Sequence, residues 1–431
     1  MASAYYANKH NMPFTVYEST NSIGGNCRTL EFGQFRFDTG AHRFHDKIPK
    51  ITLEMKKILG SDLMKVSAPS KIFCNDNFIN FPIQLIDIIK TLDPYLIFKI
   101  IKELINNQLI EEKKYSNFKN FAYQTYGKTI SDLFLLNYTE KLWGLKPELL
   151  SHDVSGGRLR NLNVLSFIKD LLFINNNPKH LDGSFFYPKN GYGSIFNKIK
   201  TIIGEENIEY NAPLKKIFHD GNKIKAITYG STKIPVNQVI STLPITILIN
   251  ILEPKPPKKI IEIINSLSFR SLKLCIFTLN KEFFSKNASI YFPDNSLLFT
   301  RISEPKNRSK NLAPQNQTSI IVEVPYNESN GDLKYQDDKL LDNIKTQLIN
   351  KKLINNKEVI SNKIINIPYA YPILELGLRE KINQVSNYLL KFSNLCLLGR
   401  NAKFKYLHTH DLFDQSEQTI KLLLDKGKLN E

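Results

Sequence analysis

The sequence predicts an α/β fold in which a helix–strand–turn region is joined to a second region of helices and strands. Three observations predict it. Phe14–Tyr17 is strand-like, ends at Glu18 and runs into the Gly24-Gly25 turn. From Pro82 to Gln108 the apolar residues recur at helical spacing, in LIDIIK and YLIFKIIKELI. Two alternating runs flank His219-Asp220-Gly221-Asn222, the composition of a hairpin turn.

In chain order, Ala2 to Lys9 has helical character, and Pro13 separates it from the strand at Phe14–Tyr17. FGQFRFDTGAHRFH alternates aromatic and polar residues and predicts a hairpin running into a loop. Asp93-Pro94 breaks the segment 82–108 into two amphipathic helices, and a third covers 129–142. Val164–Ile174 predicts a buried helix that is also apolar enough to touch a membrane surface, so 82–180 reads as a largely helical insertion. Strands return in IEYNAPLKKIFHDGNKIKAITYG and QVISTLP, then from Leu272 to Phe299 and in TSIIVEVP, a second sheet facing a cavity. The tail reads as strand (NLCLLGR), loop (NAKFKYLHTHDLF) and helix (SEQTIKLLLDKGKL).

Composition excludes more than it selects. A hydrophobic share of 42% supports a large core, and 431 residues suffice for two or three domains. The net charge of +17 comes mostly from Lys scattered among Asn and Ile, with no Arg-rich stripe, so no nucleic-acid partner is expected. Contact with an anionic membrane surface stays open. Cys27, Cys74, Cys275 and Cys396 lie far apart without CxxC spacing, which argues against zinc and a disulfide framework and for a reducing, cytoplasmic setting, with peripheral contact at the inner face of the membrane left open. No uncharged apolar run approaches the ~20 residues of a membrane span. GxSxG and Walker loops are absent, which removes hydrolase and nucleotide triphosphatase readings.

Glu18 is an acid at the carboxyl end of a strand, where dinucleotide folds place the carboxylate that binds ribose hydroxyls, although a surface Glu fits the same position. Gly24 and Gly25 follow six residues on, with Arg28 close behind. Glycine there lets backbone N–H groups approach a pyrophosphate, and Arg supplies fixed charge.

YYANKHNMPFTVYESTNSIGGNCRT resembles the start of flavoproteins of the amine oxidase, protoporphyrinogen oxidase and UDP-galactopyranose mutase superfamily. FDTGAHRFH, NYTEKLWGLKPELLS, FFYPKNGYGSIF, QVISTLP and LLGRNAKFKYLHTHDLFDQSEQTI resemble further family segments, in the family's order along nearly the whole chain. The resemblance implies a Rossmann-like FAD-binding domain made of 1–80, 185–265 and 385–431. It implies a mixed helical and antiparallel-sheet substrate domain made of 81–184 and 266–384. The family's first strand and GxGxxG loop have no counterpart in this sequence, which opens at the following helix. A coding start placed late, or a fragment, is the expected reason.

By the same resemblance Glu18 binds the adenosine ribose, and Gly24, Gly25 and Arg28 lie at the pyrophosphate and flavin edge. Gly40, Ala41 and His42 face the isoalloxazine, and Leu214 presents main chain to adenine. Gly399 and Arg400 serve the pyrophosphate and ribityl side, while His410 and Asp411 present backbone to the pyrimidine end. His42 and Tyr371 are the catalytic candidates. Arg158, Arg160 and Arg301 fall in the cavity wall, and Trp143, Tyr187, Tyr192, Tyr371 and Tyr406 could stack on substrate or simply pack.

The implied activity is FAD-dependent hydride transfer from a small-molecule substrate to flavin N5. One alternative is a UDP-galactopyranose mutase-like isomerase using reduced flavin on a nucleotide sugar. Another is a truncated, non-catalytic binding protein.

Overall fold

A computed structural model describes residues 1–81, 92–108, 115–155, 184–327 and 335–428. The expected helix at Val164–Ile174, the first of the two helices expected in 82–108, Arg158 and Arg160 lie outside the described residues.

Helix α1 (Ala2–Lys9) buries Ala4, Tyr5, Tyr6 and Ala7. Strand β1 (Val16–Tyr17) leads to the Gly24-Gly25 turn and the hairpin β2 (Thr29–Phe32) and β3 (Phe35–Asp38), closed through Gly33 at φ 58°. Helix α2 (Pro49–Leu59) and strand β4 (Leu63–Val66) follow, then the hairpin β5 (Ser70–Cys74) and β6 (Asn77–Phe81). The helical region holds α3 (Pro94–Gln108), the second of the two helices expected in 82–108, then α4 (Phe118–Tyr126), which the sequence reading missed, and α5 (Leu136–Trp143), the last part of the helix expected over 129–142. After β7 (Phe185–Pro188) and α6 (Ser194–Ile203) come β8 (Ile208–Glu209), β9 (Leu214–His219), β10 (Ile224–Tyr229), β11 (Thr232–Pro235), β12 (Val239–Ser241) and β13 (Leu252–Glu253). The β9–β10 turn is HDGN, with Gly221 at φ 99°.

Strand β1 pairs with β8 in parallel, and β12 pairs in parallel with Leu395–Leu397 near the end of the chain. Successive strand residues point to opposite faces. Val16, Ile208 and Ile240 turn toward a cluster built on α1, α2, α6 and the last helix, through Tyr6, Met55, Ile199 and Phe413. Tyr17, Val239, Leu395 and Leu397 turn toward the other cluster, with Ile217, Ile227 and Leu248. Both parallel pairs therefore separate the same two clusters and form one covered layer, as parallel sheets require.

A seven-stranded sheet makes the second layer. It contains β14 (Phe269–Leu279), β15 (Ser289–Tyr291), β16 (Arg301–Ser303), β17 (Thr318–Tyr326) and β18 (Val359–Pro372), in the order β18-β14-β17-β16-β15-β5-β6. Strand β14 is buried along almost its whole length because both faces are covered. Cys275 and Phe277 pack with Leu340 and Ile344 of the helix Asp337–Asn350, while Leu272, Leu274 and Ile276 meet Phe37 of β3.

Strands β5 and β6 pair into this sheet, Ser70 lying beside Ser289 in parallel register. Residues 70–81 thus join the strands of the expected substrate region, although sequence grouped most of them with the first region. An alternating strand fits either sheet, and only its tertiary partner decides.

Candidate functional site

The first wall is the turn after β1. Glu18 continues the strand ladder, its N–H donating to Glu209 O at 2.8 Å. Its Oε1 accepts from the N–H and hydroxyl of Thr20, each at 2.9 Å, so the acid also ties its own turn. Gly24 adopts φ 103°, and a Cβ there would stand 3.2 Å from Phe196 on α6. Arg28 folds back, donating to Gly25 O at 3.1 Å and to Ser22 Oγ at 3.0 Å.

The second wall is the end of β3, held by a buried carboxylate absent from the sequence-derived candidates. Asp38 accepts from Thr29 Oγ1 (2.6 Å), the Tyr187 hydroxyl (2.6 Å) and the Tyr192 N–H (2.9 Å). Tyr187 and Tyr192 are therefore built into this network. Just beyond it, Gly40 packs so close to His42 that a Cβ would lie 2.9 Å from the imidazole Cε1. The His42 ring rests on Tyr192 at 5.0 Å, and Ala41 is half-buried between Gly40 and His42.

The third wall comes from the carboxyl ends of β12 and β19 (Leu395–Leu397), where open α/β sheets bind ligands. Gly399 turns the chain at φ 98°. Arg400 lies over the Tyr406 ring at 4.4 Å and donates to Leu407 O at 2.9 Å. A bulge in β18 reaches into this corner: Tyr371 faces Arg270 while Ile367 faces Leu272, so residues 368–370 oppose Ser271 alone, with Tyr369 at φ 53°. Its carbonyl accepts from Asn26 Nδ2 (3.2 Å) and Asn401 Nδ2 (3.0 Å), joining the loops around 24–28 and 399–401. The final helix (Thr409–Lys428) begins here. Asp411 accepts from the His408 N–H at 2.9 Å, and His410 is buried and stacked on His408 at 5.4 Å. Leu214 opens β9 and pairs opposite Tyr229, apart from these loops in the sheet order.

The side where the sequence expects substrate is cationic and aromatic. Arg301 on β16 is paired across the rung with Glu323 on β17 at 2.7 Å. Burial opposes the Arg301 charge, but Glu323, Tyr371, Tyr291 and Tyr138 more than offset it and hold the guanidinium above its usual range. Tyr371 stacks on Tyr406 at 6.4 Å and meets Trp143 at 5.9 Å. Burial pushes its phenol up to about 12, with Arg301 working against that rise. Glu323 and Arg308 escaped the sequence reading; a lone Glu inside the apolar run SIIVEVP was the usable signal for the first.

His42 is pressed down to about 3, by burial first and then by Arg308, Arg400 and Arg301. The imidazole is neutral at physiological pH. Because its folded value lies below the ordinary 6.5, the unfolded chain takes up the proton first, and stability falls as pH drops from about 6.5 toward 3. His42→Gln is expected to flatten that slope in melting curves collected across this window; an unchanged slope would place the acid lability elsewhere.

The donor set fits a flavin dinucleotide. Ser241 Oγ and Asn401 Oδ1, buried near the carboxyl ends of the parallel pair, have no hydrogen-bond partner among the described residues, and a Cβ at Gly25 would meet nothing within 4 Å. The sequence model of the family described as flavin containing amine oxidoreductase matches residues 1–361. The chain belongs to this family. FAD is the cofactor that the family's fold holds. Among solved structures, a reduced UDP-galactopyranose mutase superposes with TM-score 0.87 at 18% identity, over 98% of this chain and 93% of that one. A protoporphyrinogen oxidase from Exiguobacterium sp. 255-15 gives 0.76 at 13% identity, over 98% and 95%. Cyclohexylamine oxidase from Brevibacterium oxydans gives 0.66 at 12%, over 98% and 97%. The corticosteroid-binding protein of Candida albicans is 23% identical over 292 residues, 63% of this chain; the chain spans 56% of the length of that curated relative. No described helix is long and apolar enough to cross a membrane.

Proposed function

We propose that this flavin containing amine oxidoreductase is an FAD-dependent oxidoreductase acting on a small anionic substrate. FAD supplies the two-electron acceptor at N5. Glu18 holds the ribose, Gly24, Gly25 and Arg28 the pyrophosphate, and Leu214 main chain the adenine. Gly399 and Arg400 serve the ribityl side, the backbone at His410 and Asp411 the pyrimidine end, and Gly40, Ala41 and His42 the ring face. Arg301, Tyr371 and Tyr406 receive the substrate.

The observation that carries the reading is a set of three arginines, Arg308 buried with its Nε unpartnered among the described residues, Arg400 over the Tyr406 ring and Arg301 on β16, whose charges all act on His42. Such a field repels an ammonium and draws in a carboxylate or phosphate. His42 is neutral and orients the substrate by packing and hydrogen bonding; hydride transfer asks for no side-chain base. Aromatic faces at Tyr371, Tyr406 and Trp143 exclude water around the reacting carbon.

The same guanidinium groups favour one second reading, a UDP-galactopyranose mutase-like isomerisation of a nucleotide sugar, whose diphosphate they would clamp. Anaerobic mixing separates the two. Bleaching of the flavin by an anionic donor supports oxidation, whereas ring isomerisation of a UDP-sugar by the pre-reduced protein supports the second reading. Neither response would overturn both. Arg400→Ala is expected to weaken FAD retention about tenfold, the size of one charge-assisted hydrogen bond, read by flavin fluorescence titration. Equal affinity would mean that the loop after Gly399 does not hold the cofactor.

A further inference from the structure

We propose that Arg308 and Arg43 form a second buried anion subsite, which receives a phosphate or carboxylate group of the substrate. The proposal rests on the anionic-substrate reading and adds a place where a further charge is bound. Arg308 is only 5% exposed. It donates through one terminal nitrogen to Ala288 O at 3.1 Å and to Ser289 Oγ at 3.4 Å. Its Nε has no hydrogen-bond partner among the described residues. No carboxylate among the described residues lies within ion-pair distance of it, and the nearby Asp38 is already committed to Thr29, Tyr187 and Tyr192.

Arg43 approaches from the loop after His42, donating to Ser70 Oγ at 2.8 Å with its guanidinium over the Phe185 ring at 4.9 Å. Ser70 and Ser289 are register partners on β5 and β15. The two arginines are thus anchored at one rung of the sheet, on its adjacent strands β5 and β15. Burial brings the Arg308 guanidinium down to about 10, Tyr187 and Asp38 opposing, Arg43 and Arg301 adding to the fall. A buried cation with an orphaned donor and a cationic neighbour is costly as architecture, yet it is preformed for an oxyanion, which takes hydrogen bonds from both. Arg43 directly follows His42 in the chain and Arg308 heads the charges that act on it, so the subsite lies on the His42 side.

The test is thermal melting of the full chain in inorganic pyrophosphate or malonate against chloride at matched ionic strength. Wild-type protein is expected to gain about 3 °C with the anion its subsite fits; pyrophosphate alone marks a phosphate subsite, malonate alone a carboxylate one. Arg308→Gln should lose that gain and, without added anion, melt at or above wild type, because the uncompensated charge is gone. Arg308→Lys should keep part of the gain. A gain from neither anion, a gain retained in Arg308→Gln, or a variant melting below wild type in chloride would overturn the subsite, as would insolubility of both variants, which marks a packing role. Flavin bleaching by an anionic donor together with any of these results removes the subsite and leaves the oxidoreductase reading standing. An Arg308-dependent gain without bleaching or isomerisation removes the reading and keeps the anion site.

Discussion

Arg301→Ala is expected to cost about 3–5 kcal/mol of stability, the range for stripping one partner from a buried ion pair. Glu323 is 1% exposed, sits opposite Arg301 on the neighbouring strand and accepts its guanidinium at 2.7 Å. Truncation leaves a carboxylate inside the sheet with no cation in contact. Arg301→Met with Glu323→Leu removes both charges, and most of the lost stability should return, because desolvating the pair consumes much of its attraction. Substrate binding should not return with it, since the guanidinium facing Tyr371 is gone from both variants. Denaturant unfolding together with ligand titration checks the split. A double variant as unstable as Arg301→Ala would show that the packing of the arginine stem, and not the stranded charge, set the cost.

That pair shows where the sequence was legible. Turns were, because their chemistry is local: Gly33, Gly221 and Gly24 all take positive φ in the segments FGQF, HDGN and SIGG. The run LKLCIFTL announced a strand, and β14 is one, although its burial on both faces was not read from the sequence. The candidate loops around His42 and Gly399 were named through the resemblance of their motifs, and the Gly24-Gly25 turn through its glycines as well, none of them through periodicity. Partnerships across the chain stayed hidden. Arg308 stands in the Lys-rich stretch EPKNRSK, which reads as surface, yet it is buried against Ala288 and Ser289 by the folding of β15. Residues 70–81 alternate as any edge hairpin does, and nothing local says that their neighbour is Ser289 rather than a strand of the first layer.

Asp38→Ala is the second large effect, at about 3–5 kcal/mol, because it strands several buried donors at once. The carboxylate is the node on which Thr29 Oγ1, the Tyr187 hydroxyl and the Tyr192 N–H converge, and Thr29 Oγ1 in turn accepts from the Gly193 N–H at 2.8 Å. These bonds tie β2 and β3 to the turn before α6, and Tyr192 carries the ring on which His42 rests. Removing the node therefore loosens the His42 face as well as the fold. Asp38→Asn separates charge from hydrogen bonding. Its amide oxygen can accept from Thr29 and from the Tyr192 N–H, while its NH2 donates to the Tyr187 oxygen once that hydroxyl rotates. Burial already raises the Asp38 carboxyl above its ordinary value, against the donors that lower it, so a neutral side chain suits the site. The cost of Asp38→Asn should stay within about 1 kcal/mol, with FAD binding close to wild type. Matching large losses in both variants would mean that the negative charge, through its attraction to Arg308, and not the set of donors, holds this wall together.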